Sequence, residues 1–168
     1  LLRDSYLTTS IYSTISTFKF DAFKYMPAVT SAYSLTAFDF PLLFWGETVG
    51  DSTTSFYFDH TDSLISIYAS NIADLAERLD AQYNLDFVFC PVPNKYTMWH
   101  KKIDPQAEYD NFLPRLYQEL GKQGIKHIDI YEDFKNSDAI LYYGTDSHWN
   151  KKGVDLAMTK IMEHFREK

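Results

Sequence analysis

The sequence predicts an α/β domain of three layers, with a mainly parallel sheet between helices. Two observations predict it. Short apolar runs alternate with amphipathic stretches along the chain, in the order strand, helix, strand, helix, strand, helix. That spacing favours right-handed crossovers and a parallel sheet. The length, 168 residues at 45% hydrophobic content, also suffices for one core and argues against disorder. The expectation is a single domain over 1–168, with 1–40 as an N-terminal arm or scaffold segment. The chain begins at Leu1 rather than Met, which leaves open that the domain is incomplete.

Residues 1–26 are rich in Ser and Thr, and their apolar residues keep no clean period; a helix and an extended arm both fit. Residues 27–41 carry turn and linker chemistry. The run 41–45 (PLLFW), bounded by Pro41 and Gly46, reads as a buried strand, and 56–58 (FYF) as another after a loop. Residues 61–82 form the clearest helix. Leu64, Tyr68, Ile72, Leu75 and Leu79 make its apolar stripe, and Thr61 or Asp62 its cap. Residues 85–90 (LDFVFC) read as a central strand ended by Pro91, Pro93 and Asn94. Lys95, Tyr96 and Trp99 then fall in a loop at the strand's C-terminal end, where open parallel sheets keep their ligand crevice.

A helix over 110–121 follows, with Pro114 in its first turn, Leu113, Leu116, Tyr117 and Leu120 inward, and Gly121 or Gly124 at its end. Residues 125–131 alternate as a strand, with His127 structural; 132–137 make a helical turn and 139–142 a brief strand. The stretch 142–157 (YYGTDSHWNKKGVDLA) is the chemical centre. Asp146 and His148 lie two residues apart, a compact way to orient a base. Asn150 caps a last helix carrying Val154, Met158, Ile161 and Phe165.

Composition excludes several classes. A net charge of −7 without a basic run is a poor match for nucleic acid or anionic lipid. The lone Cys90 rules out an internal disulfide and a multi-Cys zinc site, and its apolar surroundings suggest a buried structural thiol. Thirteen Tyr and thirteen Phe either line a sugar-type cleft or fill an aromatic core. No apolar run is long enough to span a bilayer, and no signal peptide is visible. No cofactor is expected. A metal site built from Asp146 and His148, with His60 or His100 as third ligand, lacks any supporting motif spacing.

The segment TDSHWNKKGVDLA resembles the Asp-His block of the SGNH hydrolase-like family typified by the alginate O-acetyltransferases AlgX and AlgJ. That block reads D-T-H-W before a helix of Gly and small residues. Asp146, His148, Trp149, Gly153 and Ala157 match, and Ser147 replaces the Thr. CPVPNKYTMW (90–99) resembles the family's strand-end segment. The resemblance implies a flavodoxin-like, SGNH-type fold and acyl transfer on a glycan, by an O-acetyltransferase or carbohydrate esterase. His148 would be the base and Asp146 its orienter. Lys95, Tyr96, Trp149 and Asn150 would contact the substrate. It also implies a periplasmic or extracytoplasmic setting, a polysaccharide or acylated sugar as partner, and contacts with other cell-envelope proteins.

The sequence departs from the family pattern in one respect. There the nucleophilic serine follows the Asp-His block, yet no serine follows Ser147 here. Ser5 in Arg3-Asp4-Ser5 and Ser52 in Gly50-Asp51-Ser52 are the candidates in the other chain order. The alternative is an inactive or truncated glycan-binding or assembly module on the same fold.

Overall fold

A computed structural model of the chain describes residues 6–25, 30–33, 42–50 and 52–166. The helices are α1 (Tyr6–Phe23), α2 (Asp62–Tyr83), α3 (Lys95–Ile103), α4 (Phe112–Lys122), α5 (Tyr131–Lys135) and α6 (Lys151–Arg166). Two strands, β1 (Thr30–Tyr33) and β2 (Leu42–Trp45), pair antiparallel, with Thr30 opposite Trp45 and Tyr33 opposite Leu42.

The α2 helix starts and stops where its local chemistry requires. Thr61 accepts a hydrogen bond from Leu64 N at 3.2 Å, and Asn84 closes the far end in the left-handed region at φ 52°. Its inward face is centred on Ile65 and Ala69, one residue round from the expected stripe, so Leu75 is exposed. That face packs on α4, whose Leu116 and Leu120 complete the cluster. In α4 all four expected inward residues are buried.

The regular parallel sheet is not formed among the described residues, and this corrects the expected strand assignments. Residues 85–90 are half-buried or exposed rather than central. Their only ladder is one parallel bridge to 125–128, in which Phe89 N donates to Lys126 O and Ile128 N to Phe89 O, each at 2.9 Å. Pro91 and Pro93 have no N–H to donate, so the ladder cannot continue towards them. Their carbonyls accept instead from tyrosine hydroxyls, Tyr117 at 2.9 Å and Tyr142 at 2.7 Å. Residues 56–58 form turns rather than a strand, with Phe58 N donating to Ser55 O at 3.2 Å. The 41–45 expectation gives β2, with Leu42, Leu43 and Phe44 buried.

The main core gathers Leu42, Phe44, Tyr96, Ile130, Phe134 and Tyr142 beneath the Asp-His loop. Cys90 is half-buried beside it, and burial pushes its thiol pKa up. No helix among the described residues is long and apolar enough to cross a membrane.

Candidate functional site

The loop between Tyr142 and Asn150 is closed at its base. Tyr142 and Trp149 form an antiparallel bridge, and Asn150 N donates to Leu141 O at 2.9 Å. Within it, Asp146 Oδ1 accepts from both His148 N, at 2.8 Å, and His148 Nδ1, at 2.5 Å. A carboxylate only accepts, so Nδ1 is the donor, and in the neutral form of the ring Nε2 is the lone pair. The His148 side chain is 53% exposed and that of Asp146 22%. No partner among the described residues meets His148 Nε2, which is the condition a general base needs.

Lys95 sits beneath this loop and is 3% exposed. Its ammonium lies within hydrogen-bond distance of four carbonyls, Leu43 O at 2.5 Å, Gly144 O and Asp146 O at 2.9 Å, and Tyr143 O at 3.1 Å, so its three N–H are all engaged and one is shared. It also lies 4.8 Å from the centre of the Phe44 ring. Burial pulls its pKa down to about 7, against the raising influence of Asp146. Lys95 is thus neither a solvated lysine nor a group with protons to spare for a substrate. It joins β2 to the Asp-His loop.

Three other anchors converge on the loop. Leu43 N donates to Gly144 O at 2.8 Å. From α1, Thr17 Oγ1 lies 3.0 Å from Thr145 Oγ1, and Thr145 Oγ1 donates to Ser13 O at 3.1 Å. The Ser and Thr content of α1 therefore serves an inward polar face, while Ile11, Ile15 and Phe18 point outward. On the far side Asn150 Oδ1 accepts from Lys152 N and Gly153 N at 2.9 and 3.2 Å, and its Nδ2 donates to Ile140 O at 2.6 Å. Asn150 is accordingly the helix cap, with both side-chain atoms engaged. A Cβ on Gly153 would meet Leu141 O at 2.3 Å, so only glycine lets α6 approach this closely.

Two cavities of about 510 Å³ each border His148. One runs between α1, β2 and the loop, past Tyr12, Lys19 and Trp45. The other is apolar, walled by Val92, Pro93, Trp149 and Val154. Trp149 packs on Phe134, with ring centres 5.0 Å apart, and also borders that cavity.

Tyr96 and Ser52 are not brought to His148. Tyr96 is 1% exposed, with its hydroxyl 2.5 Å from that of Tyr57, and borders neither cavity. Ser52 lies in a turn, its hydroxyl donating to Glu47 O at 2.8 Å, and it too borders neither cavity. Ser5 lies outside the described residues. No group of three His, Cys, Asp or Glu side chains converges among the described residues, and His60 is paired with Asp110 instead.

Sequence reading missed α3 and the His60–Asp110 pair. For α3 a signal was present: Asn94 accepts from Thr97 N at 2.8 Å, and Tyr96, Trp99 and Ile103 recur at helical spacing. For the pair there was none, because its members lie fifty residues apart.

The family described as ALGX, the SGNH hydrolase-like domain of acetyltransferase AlgX, matches residues 53–168, and the chain belongs to it. Comparison with curated proteins and with solved structures found no match.

Proposed function

We propose that Asp146 and His148 form the acid-base half of an acyl-transfer site acting on a polysaccharide. The observation that carries this is the bare Nε2 of His148, held in one tautomer by Asp146 at 2.5 Å and opening on two cavities. In this reading Nε2 takes the proton of a serine hydroxyl as it attacks the acyl carbonyl. Asp146 stabilises the imidazolium, which returns the proton to the departing sugar oxygen. The acyl group then passes to water or to another sugar hydroxyl. Lys95 is a positioning residue that fixes the loop through its carbonyls. Trp149, in the cavity wall, contacts the substrate.

Family membership supports the polysaccharide as substrate class and an extracytoplasmic setting. The anchoring of Thr145 to α1 and of Gly144 to β2 supports these two elements working with the matched region as one unit. The second reading, a glycan-binding module without turnover, is favoured by one fact: neither cavity at His148 is bordered by Ser52.

Acetate release from acetylated glycans and from p-nitrophenyl acetate decides between them. With the full-length protein, His148→Ala is expected to lower turnover by about 10²–10⁴-fold. Equal turnover in wild type and variant, or none in either, overturns the enzymatic reading. Retained glycan binding in that case supports the binding module.

A further inference from the structure

A second aspartate–histidine pair lies across residues 92–94 from the first. His60 Nδ1 is 2.7 Å from Asp110 Oδ2, and His60 N donates to the same oxygen at 3.1 Å. The other oxygen, Oδ1, accepts from Phe112 N at 2.9 Å. Arg115 closes the unit, donating to His60 O at 2.6 Å and to Asp62 Oδ1 at 2.7 Å. The ring is further fixed by Phe112, 4.2 Å from it, and by Phe58 at 4.9 Å. The residue is 7% exposed. Its Nδ1 is the donor for the same reason as in His148, so in the neutral form of the ring Nε2 is the acceptor. No partner among the described residues meets that atom.

His60 lines a pocket of about 290 Å³, room for one six-membered ring. Two more polar groups on its wall lack side-chain partners among the described residues. Asn94 spends its oxygen on the α3 cap, which leaves its Nδ2 free to donate. Thr97, 4% exposed, contributes a hydroxyl. The rest of the wall is largely aromatic, with Tyr68, Tyr109 and Phe112. An acceptor, a donor and a hydroxyl beside aromatic faces complement a polyhydroxylated ring. The Asp110 carboxylate in the same wall disfavours an anionic ring.

Val92 and Asn94 border both this pocket and the apolar cavity at His148. We propose that the His60 pocket is a subsite for one neutral sugar unit, a hydroxyl of which donates to His60 Nε2 while Asn94 and Thr97 hold its neighbours. A glycan occupying it would extend over residues 92–94 towards His148. The subsite deepens the polysaccharide reading, but binding here is measurable without turnover.

Histidine-selective ¹⁵N NMR on the full-length protein tests it, with methyl glycosides of neutral hexoses as ligands and the matching uronate as comparator. The expected result is a saturable shift of the His60 Nε2 signal with a Kd of about 1 mM, as befits one small ring. His148→Ala should leave that shift intact, which separates the subsite from the acyl-transfer reading. Thr53→Trp, at an exposed rim position of the pocket, should abolish it without lowering Tm. Thr97→Val should weaken binding about fivefold, the cost of one hydrogen bond. No shift with any neutral glycoside at tens of millimolar overturns the proposal. So does an undiminished shift in Thr53→Trp, or a uronate that binds as tightly as its neutral counterpart.

Discussion

The molecule holds two aspartate–histidine pairs of nearly equal bond length and opposite construction. Asp146 and His148 are two residues apart, and the bond closes a loop on itself at 2.5 Å with the imidazole 53% exposed. Asp110 and His60 are fifty residues apart; their 2.7 Å bond ties the start of α4 to the start of α2, and the imidazole side chain is 8% exposed. Both carboxylates engage Nδ1, and neither Nε2 meets a partner among the described residues. The local pair costs the fold little to lose, because solvent can replace it. The long-range pair is part of the packing, because water cannot. Position in the chain alone suggests neither role; burial assigns them.

That contrast makes a ranking of stability losses, and the largest belongs to the cation under the local pair. Lys95→Met takes the charged donor away from the carbonyls of Leu43, Tyr143 and Asp146, while Gly144 O keeps Leu43 N, so a loss of roughly 3 kcal/mol is expected in urea unfolding. The loss should grow with pH. The folded pKa of Lys95 lies at about 7, below its ordinary value of 10.5. Between those values the unfolded chain holds the proton more tightly, so wild-type stability rises with pH across that window. The variant lacks that slope. A wild-type–variant gap that stays constant from pH 7 to 10 would show that Lys95 titrates at its ordinary value.

His60→Ala comes next. It removes the principal partner of a buried carboxylate and should cost about 2 kcal/mol, since Phe112 N and the His60 backbone N–H still serve Asp110. Asp110→Asn should cost less, for it keeps an acceptor facing Nδ1. If the two variants unfold at the same urea midpoint as wild type, burial is not what distinguishes the pairs. Gly153→Ala follows, at about 1–2 kcal/mol. Its Cβ meets a backbone oxygen at 2.3 Å, and α6 must shift away from Leu141 to make room. Because that shift moves the Asn150 cap, the variant should also broaden the His148 signals in NMR.

How much of this was legible in the sequence follows the same division between local and distant causes. The α2 and α4 helices, the Asn150 cap and the Asp146–His148 pair rest on residues within a turn or two of each other, and each could be read. The 85–90 strand was misjudged because an apolar run says nothing of its neighbours, and Pro91 and Pro93 end its ladder after one bridge. The inward face of α1 was illegible because it is polar, matched to Thr145 more than a hundred residues away. Lys95 reads as a substrate contact because a lysine's burial depends on carbonyls from two distant segments. His60 was weighed only as a metal ligand, its partner being out of sight.

The smallest expected effect on stability is the most informative. His148→Ala removes a half-exposed ring whose one side-chain bond is to its own loop, so unfolding should change by no more than about 0.5 kcal/mol. The loop keeps its closure through Lys95, Leu43 and Asn150, none of which touches the imidazole. Turnover, if the acyl-transfer reading holds, should fall by about 10²–10⁴-fold in the same variant. The two numbers together carry more than either alone. A large drop in both would mean that the pair is structural, like His60 and Asp110, and that activity is lost through the fold. Unchanged stability with lost turnover separates chemistry from packing within a single side chain. A protein in which His60→Ala lowers the urea midpoint while sparing turnover on p-nitrophenyl acetate, and His148→Ala does the reverse, uses one bonding pattern for two ends.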